Sequence, residues 1–154
     1  MIAVADLVEV DQDEAVRRIA TACGAVADVV AAYLFGSALG RCRPDSDIDV
    51  GVIRRSAMGE ASGYSFSAGL RMEAELIEAL GTLAGHRFDV TDLDPARPIF
   101  VMTVLRTGRL AYVADPEIYT DFLEVVAQGY RENGPRFEAA LDEVLEEPLA
   151  SRER

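Results

Sequence analysis

Leu34-Phe35-Gly36-Ser37, a short loop, and then Asp47-Ile48-Asp49-Val50 form the stretch on which the reading of this chain turns. Val29 to Phe35 is an almost unbroken apolar run and reads as a buried strand. It ends in Gly36-Ser37, where free backbone N–H groups and a hydroxyl at the start of a short helix suit a polyphosphate. Asp47 to Ile53 reads Asp-Ile-Asp-Val-Gly-Val-Ile, a second strand with one wet face and one packed face. Side chains alternate along a strand, so Asp47 and Asp49 share a face. Two hard oxygen donors so placed suit Mg²⁺, which favours carboxylates and substrate phosphates. The combination points to nucleotidyl transfer.

Two carboxylates on one face repel each other, and a bound cation removes the conflict. A site with two metal ions calls for a third carboxylate from a neighbouring strand. Arg87 to Leu93 reads as that strand, with Asp89 in its middle, where a free carboxylate needs a partner. Asp92 and Asp94 are alternatives nearer the strand end and are expected to face water. His86, the single histidine, is expected in a surface turn, and Thr91 to pair across the sheet.

The surrounding elements follow from periodicity and caps. Asp11, Asp13 and Glu14 suit the positive end of a helix reaching about Cys23, with Gly24 ending it. Gly40 to Asp45 reads as a loop, and Met58 to Gly69, rich in Gly, Ser and Ala, as a longer one. Leu70 to Leu83 follows as a helix with Leu70, Ala74, Ile77 and Leu80 along its packed side. Pro98 to Arg106 is a further helix capped by Gly108, and Leu110 to Val113 a short strand. Pro116 opens the last helical region, with an apolar stripe of Ile118, Phe122, Val125 and Val126. Gly134-Pro135 is expected to kink or break it, before a second stripe at Phe137, Leu141, Val144 and Leu145 and a frayed tail after Pro148.

The 154 residues suffice for one domain with a proper core, and half of them are hydrophobic, which argues against disorder. A net charge of −12 repels a phosphate backbone and disfavours nucleic acid as partner, while it attracts a cationic partner or a basic protein surface. Cys23 and Cys42 have neither metal-type spacing nor a disulfide framework and are expected to be reduced thiols. No basic leader segment and no apolar run of about 20 residues is present, so a soluble, cytoplasmic protein is expected.

Leu34-Phe35-Gly36-Ser37 followed by Pro44-Asp45-Ser46-Asp47-Ile48-Asp49-Val50 resembles the minimal nucleotidyltransferases (MNT) of the DNA polymerase β-like superfamily. Such proteins are found as antitoxins beside HEPN-type ribonuclease toxins. The resemblance covers most of the chain. It implies an α+β fold, a small mixed sheet packed with helices, with residues 1–115 as catalytic core and 116–147 as a C-terminal helical region of a single domain. It implies that Gly36 and Ser37 bind ATP, that Asp47 and Asp49 bind Mg²⁺, as a pair of ions, and that Asp89 completes the metal set and acts as base. It implies transfer of AMP to a tyrosine of a cognate HEPN toxin, within a hetero-oligomer. Ala38-Leu39-Gly40-Arg41 departs from the family, whose loop is commonly one residue longer with Ala-Arg-Gly here. Arg41 and Arg43 are therefore either phosphate neighbours or, the better bet, solvated loop residues. Two other activities are compatible with the residues: nucleotidyl transfer to an aminoglycoside, suited by the acidic surface, and neutralisation of a toxin by stoichiometric binding.

Overall fold

The computed structural model describes residues 6–58 and 66–146, and the central strands of its main sheet are the two that flank Gly36-Ser37. Strand β1 (Val8–Glu9) leads into helix α1 (Gln12–Gly24), whose N-cap Asp11 accepts a hydrogen bond from the Glu14 amide. Asp13 and Glu14 in the first turn face the positive end of the helix dipole. Strand β2 (Val29–Phe35) matches the apolar run residue for residue and is buried except at Phe35. A four-residue 3₁₀ turn, Gly36–Leu39, then leads to β3 (Arg41–Cys42) and β4 (Ile48–Arg54). The expected loop at Gly40–Asp45 thus contains a short strand, because Arg41 and Cys42 pair with Glu9 and Val8.

Helix α2 (Phe66–Leu80), strands β5 (Thr82–Leu83) and β6 (His86–Asp92), helix α3 (Pro98–Thr107), strand β7 (Arg109–Val113) and helix α4 (Pro116–Glu146) complete the chain. The main sheet runs β5-β6-β4-β2-β7. The β4–β6 pair is parallel and the other neighbours are antiparallel. Helices α1 and α2 cover one face, over Ala32, Leu34, Ile48, Val50, Phe88 and Val90. Helices α3 and α4 cover the other, over Val30, Ala31, Tyr33 and Ile53. Burying a side chain such as Leu34 or Ile53 contributes roughly 1.5–3 kcal/mol, and with both faces covered the central strands collect this on each side. Tyr33 keeps its hydroxyl satisfied under α4 by bonding to the Tyr119 hydroxyl.

Several expectations are corrected here. β4 has no wet face: only Asp49 is partly exposed, because helices lie on both sides and Leu93 folds over Gly51. α2 ends at Leu80, where Gly81 takes a left-handed φ of 64°, and the next residues form a hairpin through Ala84 and Gly85. α2 is also turned about its axis: Gly69, Met72, Leu76 and Leu80 face the core, while Leu70 and Ile77 are outside. In α4 the stripe holds for Phe122 and Val126, but Val125 is exposed. The helix runs through Gly134-Pro135 unbroken. Gly134 has no side chain for the proline ring to strike, which lifts the usual bar to helical backbone before proline. The loop expected at Met58–Gly69 is corrected at its end, where α2 already begins at Phe66; residues 59–65, the tail and the side chains of the second stripe lie outside the described residues. Among the described residues, no helix is long and apolar enough to cross a membrane.

Candidate active site

The site begins where β2 ends. Gly36 has φ +78°, a left-handed conformation that only glycine adopts without strain. The reason lies across the sheet: in register, Phe35 is opposite Asp49, and a Cβ on Gly36 would overlap Asp49 Oδ2. Asp49 therefore seats its carboxylate directly against the Gly36 backbone. Ser37 follows, exposed, in the 3₁₀ turn, with its carbonyl accepting from the Gly40 amide.

On the other side of β4, parallel pairing sets Asp49 opposite Asp89 of β6. Ile48, Val50, Phe88 and Val90 point to the α1/α2 core, so Asp49 and Asp89 project together from the opposite face. Asp47 lies just before β4 and is exposed. Its contribution reaches Asp49 electrostatically. Burial, then the charges of Asp89 and Asp47, raise the Asp49 carboxyl above its ordinary value of 3.8. Asp89 itself is exposed. The expectation that it sits in a costly buried position is corrected, since neither α3 nor α4 covers that part of β6. Among the described residues, no three His, Cys, Asp or Glu side chains are gathered into a ready-made metal cluster.

Other residues are placed differently from what the sequence suggested. His86 is buried, and its Nδ1 donates to the Ser46 carbonyl at 2.7 Å. The register that puts Phe88 opposite Ile48 brings His86 alongside Ser46, so this ring fixes the backbone immediately before Asp47. Asp92 does not face water: its Oδ2 binds Arg54 at 2.7 and 3.0 Å, and Arg54 is fully buried. Glu73 of α2, not singled out in the sequence, lies near this pair; burial, then the charges of Asp92 and Asp89, push its carboxyl up. Arg43 grips Asp45 at 3.0 and 3.1 Å and Arg41 reaches the Leu7 carbonyl, which makes both loop residues with local work. A cation that the sequence did not single out, Arg97 at the start of α3, reaches Phe35 at the end of β2 through Phe100. Its guanidinium lies 4.7 Å from the Phe100 ring centre, and Phe100 packs edge-on against Phe35 at 6.2 Å. Its only sequence signal was Arg97-Pro98, a basic residue at a helix start.

Two expectations follow from this geometry. Gly36→Ala forces a side chain into Asp49 and strains a left-handed backbone, together costing about 1–3 kcal/mol. Its melting point should fall modestly and any transfer activity far more, because Asp49 is displaced. The second concerns pH. The folded, metal-free protein holds the Asp49 proton more tightly than the unfolded chain does. Stability from this group is therefore complete below about pH 3.8 and is lost as pH rises through the raised value. In chelator at neutral pH, Asp49→Asn should melt higher than wild type, and the gap should close in acid. Thermal melts from pH 3 to 8 check this; an Asn variant that melts lower at neutral pH contradicts it.

A helix-flanked mixed sheet with a Gly-Ser turn beside paired carboxylates defines a nucleotidyltransferase. The chain belongs to the polymerase beta nucleotidyltransferase family, whose model matches residues 18–117. No curated protein matches it by sequence. Solved structures share the fold at low identity. A chain of a mutant toxin–antitoxin MntA–HpeT structure is 18% identical, with 88% of this chain and 98% of that one covered and a TM-score of 0.56. A chain of a toxin–antitoxin structure with AMP-PNP is 18% identical over the same shares, with a TM-score of 0.55. A chain from the tri-AMPylated Shewanella oneidensis HEPN toxin in complex with MNT antitoxin is 18% identical, covering 86% and 95%, with a TM-score of 0.52.

Proposed function

We propose that this protein is an antitoxin that transfers AMP from ATP to a tyrosine of a cognate HEPN ribonuclease toxin, in a Mg²⁺-dependent reaction. The observation that carries the reading is the registered pair Asp49–Asp89 beside the glycine that makes room for Asp49. The family supplies the reaction class, and the structures of similar fold, one bearing AMP-PNP and one an AMPylated HEPN toxin, support the nucleotide and the partner.

The donor set fits Mg²⁺. This ion is commonly held by one or two carboxylates, with water and substrate phosphates completing its shell, so a preformed three-residue cluster is not required. Asp47 and Asp49 would hold it, joined by Asp89 if two ions bind. When bound, it neutralises phosphate charge and so favours displacement at phosphorus. The chain's own residues do the rest. Gly36 and Ser37 offer backbone N–H groups and a hydroxyl to the triphosphate. Arg97 brings a further positive charge to the same face. Asp89, exposed and free to meet an acceptor, takes the proton from the attacking hydroxyl. His86 keeps Ser46, and with it Asp47, in place. The chain works as a single domain, core 1–115 and helical region 116–147, in a cytoplasmic hetero-oligomer with the toxin.

Incubation of the purified protein with labelled ATP, Mg²⁺ and the toxin encoded beside it tests the reading. Label on a toxin tyrosine is the expected result, and an unlabelled toxin that is nonetheless neutralised points to stoichiometric binding.

A further inference from the structure

The outward face of α2 carries an apolar stripe that the sheet does not use. Leu70, 50% exposed, and Ile77, 43% exposed, line up with exposed Ala74 at positions i, i+7 and i+4. Gly69, Met72, Leu76 and Leu80 already bury the adjoining face of the same helix. A helix packed on a single sheet needs one apolar stripe, and the apolar arc of α2 extends beyond it. Scattered exposed hydrophobics are ordinary, but a line of them along one helix marks an interaction face.

The charges beside the stripe indicate what covers it. Arg71 flanks it near the N-terminal end, and Glu75 and Glu78 flank it on the same side towards the C-terminal end, all exposed. Glu73 lies on the other flank. Two copies of α2 laid antiparallel about Ala74 complement each other. Leu70 of each meets Ile77 of the other, and the two Ala74 methyls face across the axis and let the backbones approach. Arg71 of each lies beside the other's Glu75 and Glu78. Self-complementarity of this kind is the signature of a two-fold interface.

We propose that α2 is a self-association face through which the protein pairs with a second copy of itself. This does not depend on the activity proposed above. One helix face falls short of the roughly 800 Å² per partner of a standard interface, so the pairing is weak and concentration-dependent.

Sedimentation and light scattering of the full chain, up to concentrations on the order of 10⁻⁴ M, should show the 16.7 kDa species doubling in mass. Leu70→Ser with Ile77→Ser should raise the dissociation constant at least roughly tenfold, with the melting point unchanged because both sites are exposed. Arg71→Glu and Glu78→Arg should each weaken pairing, and the two together should restore it, which only antiparallel self-pairing explains. Ala74→Cys should cross-link under mild oxidation while Ala79→Cys, off the stripe, should not; the native thiols at Cys23 and Cys42 are buried. A chain that stays monomeric throughout, or a dimer indifferent to Leu70 and Ile77, overturns the proposal. A monomer whose toxin binding is lost in the Leu70→Ser, Ile77→Ser variant also overturns it and assigns the stripe to the toxin.

Discussion

Asp47→Asn combined with Asp49→Asn is expected to lower the proposed AMP transfer by on the order of 10³-fold or more, since losing carboxylates that would hold the metal removes several kcal/mol of transition-state stabilisation. Asparagine keeps the shape of each side chain, so the fold should survive. The seat against Gly36 stays filled, and the burial of charge and the repulsion from Asp89 and Asp47 that together raise the Asp49 carboxyl are relieved. A melting point equal to or above wild type, with label incorporation near background, is the combined signature. Near-wild-type labelling by the double variant would remove these carboxylates from the mechanism. Loss of labelling with toxin neutralisation intact would leave the chemistry in place but make binding sufficient for protection.

The largest effect on stability is expected at a position outside the chemistry. Arg54 is fully buried at the end of β4, with Asp92, Ser56 and Asp28 around it. Asp92 contributes the two short bonds, and its own Oδ1 has no partner among the described residues. Asp92→Ala leaves a buried guanidinium with weaker compensation, which includes the Ser56 hydroxyl at 3.0 Å and the Asp28 carboxylate at 3.8 Å. Breaking such a pair from one side costs about 3–5 kcal/mol, a fall in Tm on the order of 10 °C for a chain of this size. Arg54→Met with Asp92→Leu removes both charges and should recover much of that loss, because well-packed apolar replacements of buried pairs are often neutral. Chemical denaturation of the two variants distinguishes them. If Asp92→Ala unfolds at the wild-type midpoint, water or the remaining partners carry the arginine instead.

The strands were legible because their composition is unambiguous. Val29–Phe35 contains no polar side chain apart from the Tyr33 hydroxyl, and a run of that length between a helix and Gly-Ser has one reading. The caps were legible for a similar reason: Asp11, Gly108 and Pro116 act through backbone chemistry within a few residues of themselves. What failed were judgements of facing. Leu70 and Ile77 satisfy the helical period as well as Met72 and Leu76 do, and only the sheet underneath chooses between the two stripes. Asp92 and His86 were expected at the surface because ionisable residues usually are. Their partners, Arg54 and the Ser46 carbonyl, lie 38 and 40 residues away in sequence.

By itself, the sequence determined that a strand runs into Gly36-Ser37, that Asp49 follows on a second strand with Asp47 at its threshold, and that Asp89 stands on a third, since each of these rests on local chemistry. Tertiary structure decided which of them meet. The parallel register of β4 on β6 puts Asp49 beside Asp89, and the left-handed turn at Gly36 is explained only by the carboxylate that occupies the space of its missing side chain. A strand's alternation fixes which side chains share a face, but the pairing of strands distant in sequence is set by the packing of the whole sheet.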